Sequence, residues 1–154
     1  MSSTTFKGDI AELMTAAELA KRGYIVSRPL TNGAPYDLLV DTDDGIKRIQ
    51  VKKANPFQNG SLRIVLCSNK WHRGRTRVSY HGRVDYLIAV DTDRCKYYIF
   101  GGDDLKSDEL RIRLRPTMNN QKTRVRLASD YEIDRMLPMK MVGGTGLEPV
   151  TPAM

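Results

Sequence analysis

Histidine, cysteine and tryptophan are nearly missing from this chain, with two, two and one in 154 residues. With only His72 and His81 present, and the cysteines far apart at 67 and 95, a zinc finger or a His-rich metal centre is excluded. Both cysteines sit in apolar, strand-like stretches, so they are expected as buried, reduced thiols of a cytoplasmic protein. Long apolar runs are missing too. Stretches such as YLIAV, residues 86–90, are far too short to cross a bilayer, so no membrane partner is expected. The opening MSSTTFKGD has no apolar signal core. Acidic residues are the scarcer charge, 18 against 25 Lys and Arg, for a net charge of +7.

A basic excess points to a polyanionic partner, most often nucleic acid. Its distribution sharpens the point. The first sixty residues are nearly balanced. Residues 70–83, KWHRGRTRVSYHGR, carry Lys70, Arg73, Arg75, Arg77 and Arg83 with no acid. Residues 111–126, RIRLRPTMNNQKTRVR, repeat the pattern with Arg111, Arg113, Arg115, Lys122, Arg124 and Arg126.

The hydrophobic content of 40% suits one soluble domain with a real core. Residues 6–24 read as a helix whose apolar face is Phe6, Ile10, Leu13, Met14, Ala17 and Ala20, stopped by Gly23. Glu12 falls at the edge of that face, beside Ala16 and Leu19. Strands follow at YIVSRPL, YDLLVDT, IKRIQVKKA, SLRIVLCS, VDYLIAVDT, CKYYIFGG and ELRIRLRP, with a polar basic loop or ribbon over 69–83. ASDYEIDRML reads as a short closing helix capped by Ser129 or Asp130. The order helix, five to seven strands, helix makes an α+β or mixed α/β domain over residues 1–137. Residues 138–154, rich in Gly and Pro, read as a tail that is ordered only if something docks it.

YDLLVDT and IKRIQVKKA are joined by Asp43-Asp44-Gly45, which is hairpin turn chemistry. A turn centred there sets Thr42 against Gly45 and Asp37 against Gln50. Gln50 and Lys52 share a strand face because side chains alternate, and Asp37 lies beside Gln50 across the hairpin. A carboxylate, an amide oxygen and an ammonium would then meet. Hard oxygen donors suit Mg2+ better than zinc, and a lysine beside the ion can orient a water or balance a developing oxyanion. By spacing alone, an ordinary surface ion pair between Asp37 and Lys52 beside an exposed Gln50 is the commoner reading.

PYDLLV, the turn, RIQVKKA and the preceding helix KGDIAELMTAAELAKRGY together resemble the PD-(D/E)xK nuclease core. The match runs from about Lys7 to Ala54, and KYYIF and DYEIDRML fit the same outline. More narrowly, the chain is similar to the cyanobacterial homing endonucleases of this superfamily that are encoded in group I introns of transfer RNA genes. The resemblance implies a central mixed β-sheet flanked by helices and divalent-metal hydrolysis of DNA, with Mg2+ or Mn2+. It implies Asp37 as the central metal carboxylate, Lys52 as the lysine at the attacking water, and Glu12 as the helix acid of the metal site. Gln50 departs from the pattern, which has Glu or Asp there. It keeps an oxygen and loses a charge. The ligand set becomes Asp37, the Gln50 amide oxygen, the Val51 carbonyl and Glu12, with weaker metal binding expected. Lys53 points to the opposite strand face and reads as a surface charge or phosphate contact.

The two basic segments are the expected DNA contacts, since cations hold phosphates and forked donors read base edges. They supply Lys70, Arg73, Arg75, Arg77 and His81, then Arg115, Asn119, Asn120, Gln121, Lys122 and Arg124. Solvated basic loops are the plain alternative on composition. Trp71 reads as an anchor for its loop. At least one of Tyr97 and Tyr98 is expected in the core. One site per chain implies at least a dimer to cut both strands, with a tetramer as a higher option. The resemblance makes an intronless transfer RNA gene the expected target, inside a bacterial cytoplasm. The rival functions are a Holliday-junction nuclease and a non-catalytic DNA-binding module, the latter kept open by Gln50.

Overall fold

Gly45 adopts φ +102°, a conformation that penalises any residue with a Cβ. Thr42 Oγ1 donates to the Gly45 carbonyl at 2.7 Å and tightens the same turn. The turn joins β2 (Leu38–Thr42) to β3 (Gly45–Lys53). Their register runs from Thr42 opposite Gly45 to Leu38 opposite Ile49, as the turn chemistry predicts. The computed structural model describes residues 3–71 and 75–141.

The hairpin is the middle of a five-stranded mixed sheet. β1 (Val26–Ser27) flanks β2. On the other side β3 pairs in parallel with β8 (Tyr86–Asp91), which pairs antiparallel with β9 (Lys96–Gly101). One face of this sheet, with Ile49, Val51, Ile88 and Val90, packs against α1 (Thr4–Lys21). The other face, with Leu87, Ala89 and Phe100, packs against a second, three-stranded sheet. That sheet consists of β4 (Asn55–Phe57), β5 (Ser61–Val65) and β10 (Glu109–Arg113), in the order β10-β5-β4. The architecture is therefore helix, mixed sheet, small sheet. It is an α+β domain with one α-helix among the described residues rather than the expected flanking pair.

Three elements differ from the sequence reading. The helix buries Ala11, Thr15 and Leu19, while Phe6 and Leu13 are 55% and 59% exposed. The docked stripe follows Ala11, Thr15 and Leu19 at i, i+4 and i+8, where the small Ala11 and Thr15 let the helix approach the sheet and Leu19 fills the core, with Met14 and Ala16 at its edge. Thr15 satisfies its hydroxyl on the Ala11 carbonyl at 2.8 Å. The run SLRIVLCS breaks at Leu66, where Leu66 N–H bonds the Asp108 carbonyl. The chain there leaves β5 and enters β6 (Cys67–Trp71), which pairs with β7 (Arg75–Ser79) as a ribbon. ASDYEIDRML is not an α-helix. It forms two short 3₁₀ turns, Ala128–Tyr131 and Ile133–Arg135, because Glu132 between them is extended and bridges to Tyr98 in β9.

Cys67 is buried as expected, whereas Cys95 is exposed in the β8–β9 turn at φ +51°. Tyr98 is in the core, and Tyr97 is half-buried with its hydroxyl donating to the Met14 carbonyl. The expected boundary at 137 falls inside a docked segment. Tyr24 donates to the Pro138 carbonyl and Lys140 N–H to the Arg22 carbonyl, both at 2.9 Å. Residues 142–154 of the expected tail lie outside the described residues.

Arg22 ties that closing segment to α1. Its buried guanidinium donates to Glu18 at 2.9 Å, Asp134 at 2.6 Å and the Leu137 carbonyl at 3.0 Å. Arg22→Ala strands these acceptors and is expected to cost about 2 kcal/mol. Chemical denaturation against the parent checks this, and an unchanged midpoint would refute the clamp.

Candidate active site

Asp37 sits one residue before β2, at the open end of the hairpin. Its N–H donates to the Ile49 carbonyl at 2.9 Å. Its carboxylate turns onto β3, where Oδ2 accepts the Val51 N–H at 2.8 Å and a bond from Gln50 Nε2. Gln50 and Lys52 pair with Leu87 and Ala89 of β8, so both project on the small-sheet side. The Lys52 ammonium lies 5.1 Å from the centre of the buried Tyr80 ring, an attraction that holds it in place. Lys53 falls on the alternate face. Glu12 reaches the site from α1, because it neighbours the stripe that docks on the sheet. Glu12 and Asp37 line one cleft of about 240 Å³, together with Arg28 and the loop through Tyr36. Arg28 Nη2 meets Glu12 Oε2 at 3.2 Å.

Burial pushes the Glu12 carboxyl above the usual carboxylate range, and Asp37 adds to the shift while Arg28 opposes it. Burial likewise pushes Asp37 up, with the Val51 N–H, Lys52, Arg28 and Gln50 pulling in the opposite direction. Two half-buried carboxylates on one cleft, both oxygen donors, fit a hard divalent cation. No group of three or more Asp, Glu, His or Cys side chains placed to hold a metal ion exists among the described residues; the carboxylates that line the cleft are Asp9, Glu12 and Asp37. Gln50 differs from its expected posture. Its Nε2, not its oxygen, faces Asp37 and the Val51 carbonyl, the latter at 3.3 Å. Presenting the oxygen to an ion at that position requires a half-turn of the amide.

The basic ribbon rises beside this cleft. Ser68, Tyr80 and Arg83 from its base line a neighbouring pocket with Asp37 and Gln50. Arg77 is exposed and pairs with Asp108 at 2.9 Å. His81 is exposed in the turn after β7, its N–H on Ser79 Oγ. Lys70 and Arg75 belong to the ribbon strands, but their side chains, like His72 and Arg73, lie outside the described residues. The second segment is elsewhere. Asn120, Gln121 and Lys122 line a pocket of about 330 Å³ with Val125 and Asp130, beyond the β10 edge of the small sheet. Arg115 and Asn119 are exposed, and Arg124 faces a third cleft. Neither pocket lined by Asp37 includes a residue of 115–126. Arg28, Tyr80 and Arg83 were not legible as site residues. Arg28 is a lone cation before a proline, and the other two reach the site only through the ribbon's path.

A carboxylate on a hairpin, a lysine on its second strand and a helix acid, on a mixed sheet, define the class of PD-(D/E)XK nuclease cores. The sequence model of the PD-(D/E)XK endonuclease family matches residues 2–134, and the chain belongs to that family. Among solved structures it is similar to a bacterial homing endonuclease, I-Ssp6803I, with a TM-score of 0.70 and 24% identity over 85% of this chain and 89% of the other. No curated protein is significantly similar in sequence.

The raised pKa of Asp37 has a consequence for stability. Well below the ordinary carboxylate range the group is protonated in both states and costs nothing. As pH rises the unfolded chain ionises first, so stability falls until pH passes the raised folded value. Asp37→Asn is therefore expected to melt about 3 °C higher than the parent at neutral pH in chelator, with the gain vanishing in acid. Melting curves across pH check it, and a lower melt at neutral pH would count against the burial argument.

Proposed function

We propose that this protein is a divalent-metal-dependent endonuclease of the homing type, which cuts both strands of a DNA duplex at a specific site. The observation that carries this reading is the place of Asp37, which lines one cleft with Glu12 and a neighbouring one with Gln50, Tyr80 and Arg83 at the foot of a basic ribbon, while the Lys52 ammonium over the Tyr80 ring acts electrostatically on both carboxylates. The similar fold of a bacterial homing endonuclease supports the homing type. Asp37, Glu12 and the Val51 carbonyl would hold Mg2+ or Mn2+, with the Gln50 oxygen joining after its amide turns. A bound ion of this kind neutralises phosphate charge and acidifies a water. Lys52, steadied over Tyr80, orients the attacking water and balances charge at the phosphate. Gln50 accepts no proton, so base function does not fall to it. Arg83 and the ribbon hold the backbone on either side. One cleft per chain and two strands to cut call for a two-fold dimer at least, with a tetramer as the larger symmetric option. An intronless transfer RNA gene is the proposed target.

The test offers the purified protein with Mg2+ an intronless transfer RNA gene duplex and a four-way junction. Cleavage of the duplex at one place supports the proposal, and cleavage of the junction alone transfers the reading to a resolvase. Binding without any cleavage makes it a DNA-binding module. Lys52→Ala is expected to lose at least about 100-fold in cutting rate, the size of a general acid–base contribution, with duplex affinity retained. Gln50→Glu restores a charge, and the Mg2+ concentration for half-maximal cutting is expected to fall. A rise in that concentration would remove Gln50 from the ligand set.

A further inference from the structure

The small sheet has one face in the core and one in solvent. Leu62, Ile64, Leu110 and Ile112 point inward. The register fixes what the outer face carries. Asn55, Arg63 and Arg111 stand in one row across the three strands, and Phe57, Ser61 and Arg113 in the next. Glu109 is the only acid in the three strands. Its Oε2 accepts from Arg63 at 2.7 Å and its Oε1 from Arg111 at 2.9 Å. The Arg111 guanidinium also lies 4.4 Å from the centre of the Phe57 ring. These contacts order two guanidiniums and leave donors on each facing out, since each carries five.

The cation density continues past the strands. Arg113 N–H bonds the Arg126 carbonyl at 2.8 Å, which lays that segment along β10. Arg111, Arg113, Arg124 and Arg126 thereby line one cleft of about 260 Å³ with no carboxylate among its lining residues. Four cations around one cleft raise the local potential and favour a polyanion. The face is continuous with the catalytic strand, because β4 begins just after Ala54, two residues past Lys52. The small sheet also packs on the side of the mixed sheet that carries Gln50 and Lys52.

We propose that the outer face of the small sheet is a second DNA-binding surface, which grips the phosphate backbone of the duplex beside the cut site. Glu109 orders its arginines and tempers their charge. The inference rests on the nuclease reading above and extends it to a face outside the active-site cleft.

Phosphate contacts are independent of sequence, so a random duplex of about 30 base pairs serves as the probe. Binding is read by fluorescence anisotropy in the Asp37→Asn protein, without divalent ion, over about 50–300 mM salt. Replacing Arg63 and Arg111 together by Gln is expected to weaken binding about 10-fold and to flatten the slope of log affinity against log salt by about 1 to 2. Glu109→Gln is expected to do the opposite, with tighter binding and a steeper slope. A merely structural role would move both variants in the same direction, and circular dichroism checks that each is folded. The proposal is overturned if both variants bind with the parental affinity and slope, if they shift together, or if the parent binds no duplex. Cleavage does not enter this readout. Wild-type protein that binds but never cuts ends the nuclease reading and leaves the face to be scored by binding alone.

Discussion

The site depends on one hydrogen bond across a hairpin, from the Val51 N–H to the Asp37 carboxylate at 2.8 Å. It exists because the turn at Asp43-Asp44-Gly45 fixes which residues of β2 and β3 meet. A slip of one residue would send Gln50 and Lys52 to the helix side and bring Ile49 and Val51 to the other. The apolar demands of both layers forbid that slip. Ile49 and Val51 are buried against α1, and Ala54 is buried against the small sheet. The packing that stabilises the fold is thus the same packing that holds the carboxylate and the lysine in register.

Two further contacts finish the cleft, and both come from docking. α1 lies on the sheet through Ala11, Thr15 and Leu19, and this brings Glu12 to Asp37. Had the Phe6–Leu13 face docked instead, Glu12 would have stood further from Asp37. The ribbon β6–β7 returns to the sheet at Tyr80 and Arg83, supplying an aromatic support for Lys52 and a cation beside Gln50. Neighbouring carboxylates with raised pKa oppose the stability of the metal-free fold, a cost common at functional sites.

Gln50 is the chemical peculiarity. In the structure its amide nitrogen takes the place that a cation would take between Asp37 and the Val51 carbonyl. A neutral amide can do this and a glutamate cannot, because only the amide has donors to offer two acceptors. The same side chain can therefore satisfy the metal-free site and, turned over, offer an oxygen.

The sequence by itself determined the hairpin, its register, the alternation that sets Gln50 and Lys52 on one face, and the basic segments. Each is a local matter of turn chemistry or side-chain period, readable over a few residues. It misjudged the docked face of α1, since Phe6 and Leu13 drew the expected stripe while the sheet accepts Ala11, Thr15 and Leu19 with Met14 at the edge. It also misjudged the closing helix, which Glu132 interrupts by pairing with a distant strand. Only the tertiary structure decided that Arg28, Tyr80 and Arg83 border the site, that Arg22 clasps the closing segment, and that the 115–126 loop belongs to the small sheet. Those relations join residues far apart in the chain, and no local pattern encodes which surfaces will meet.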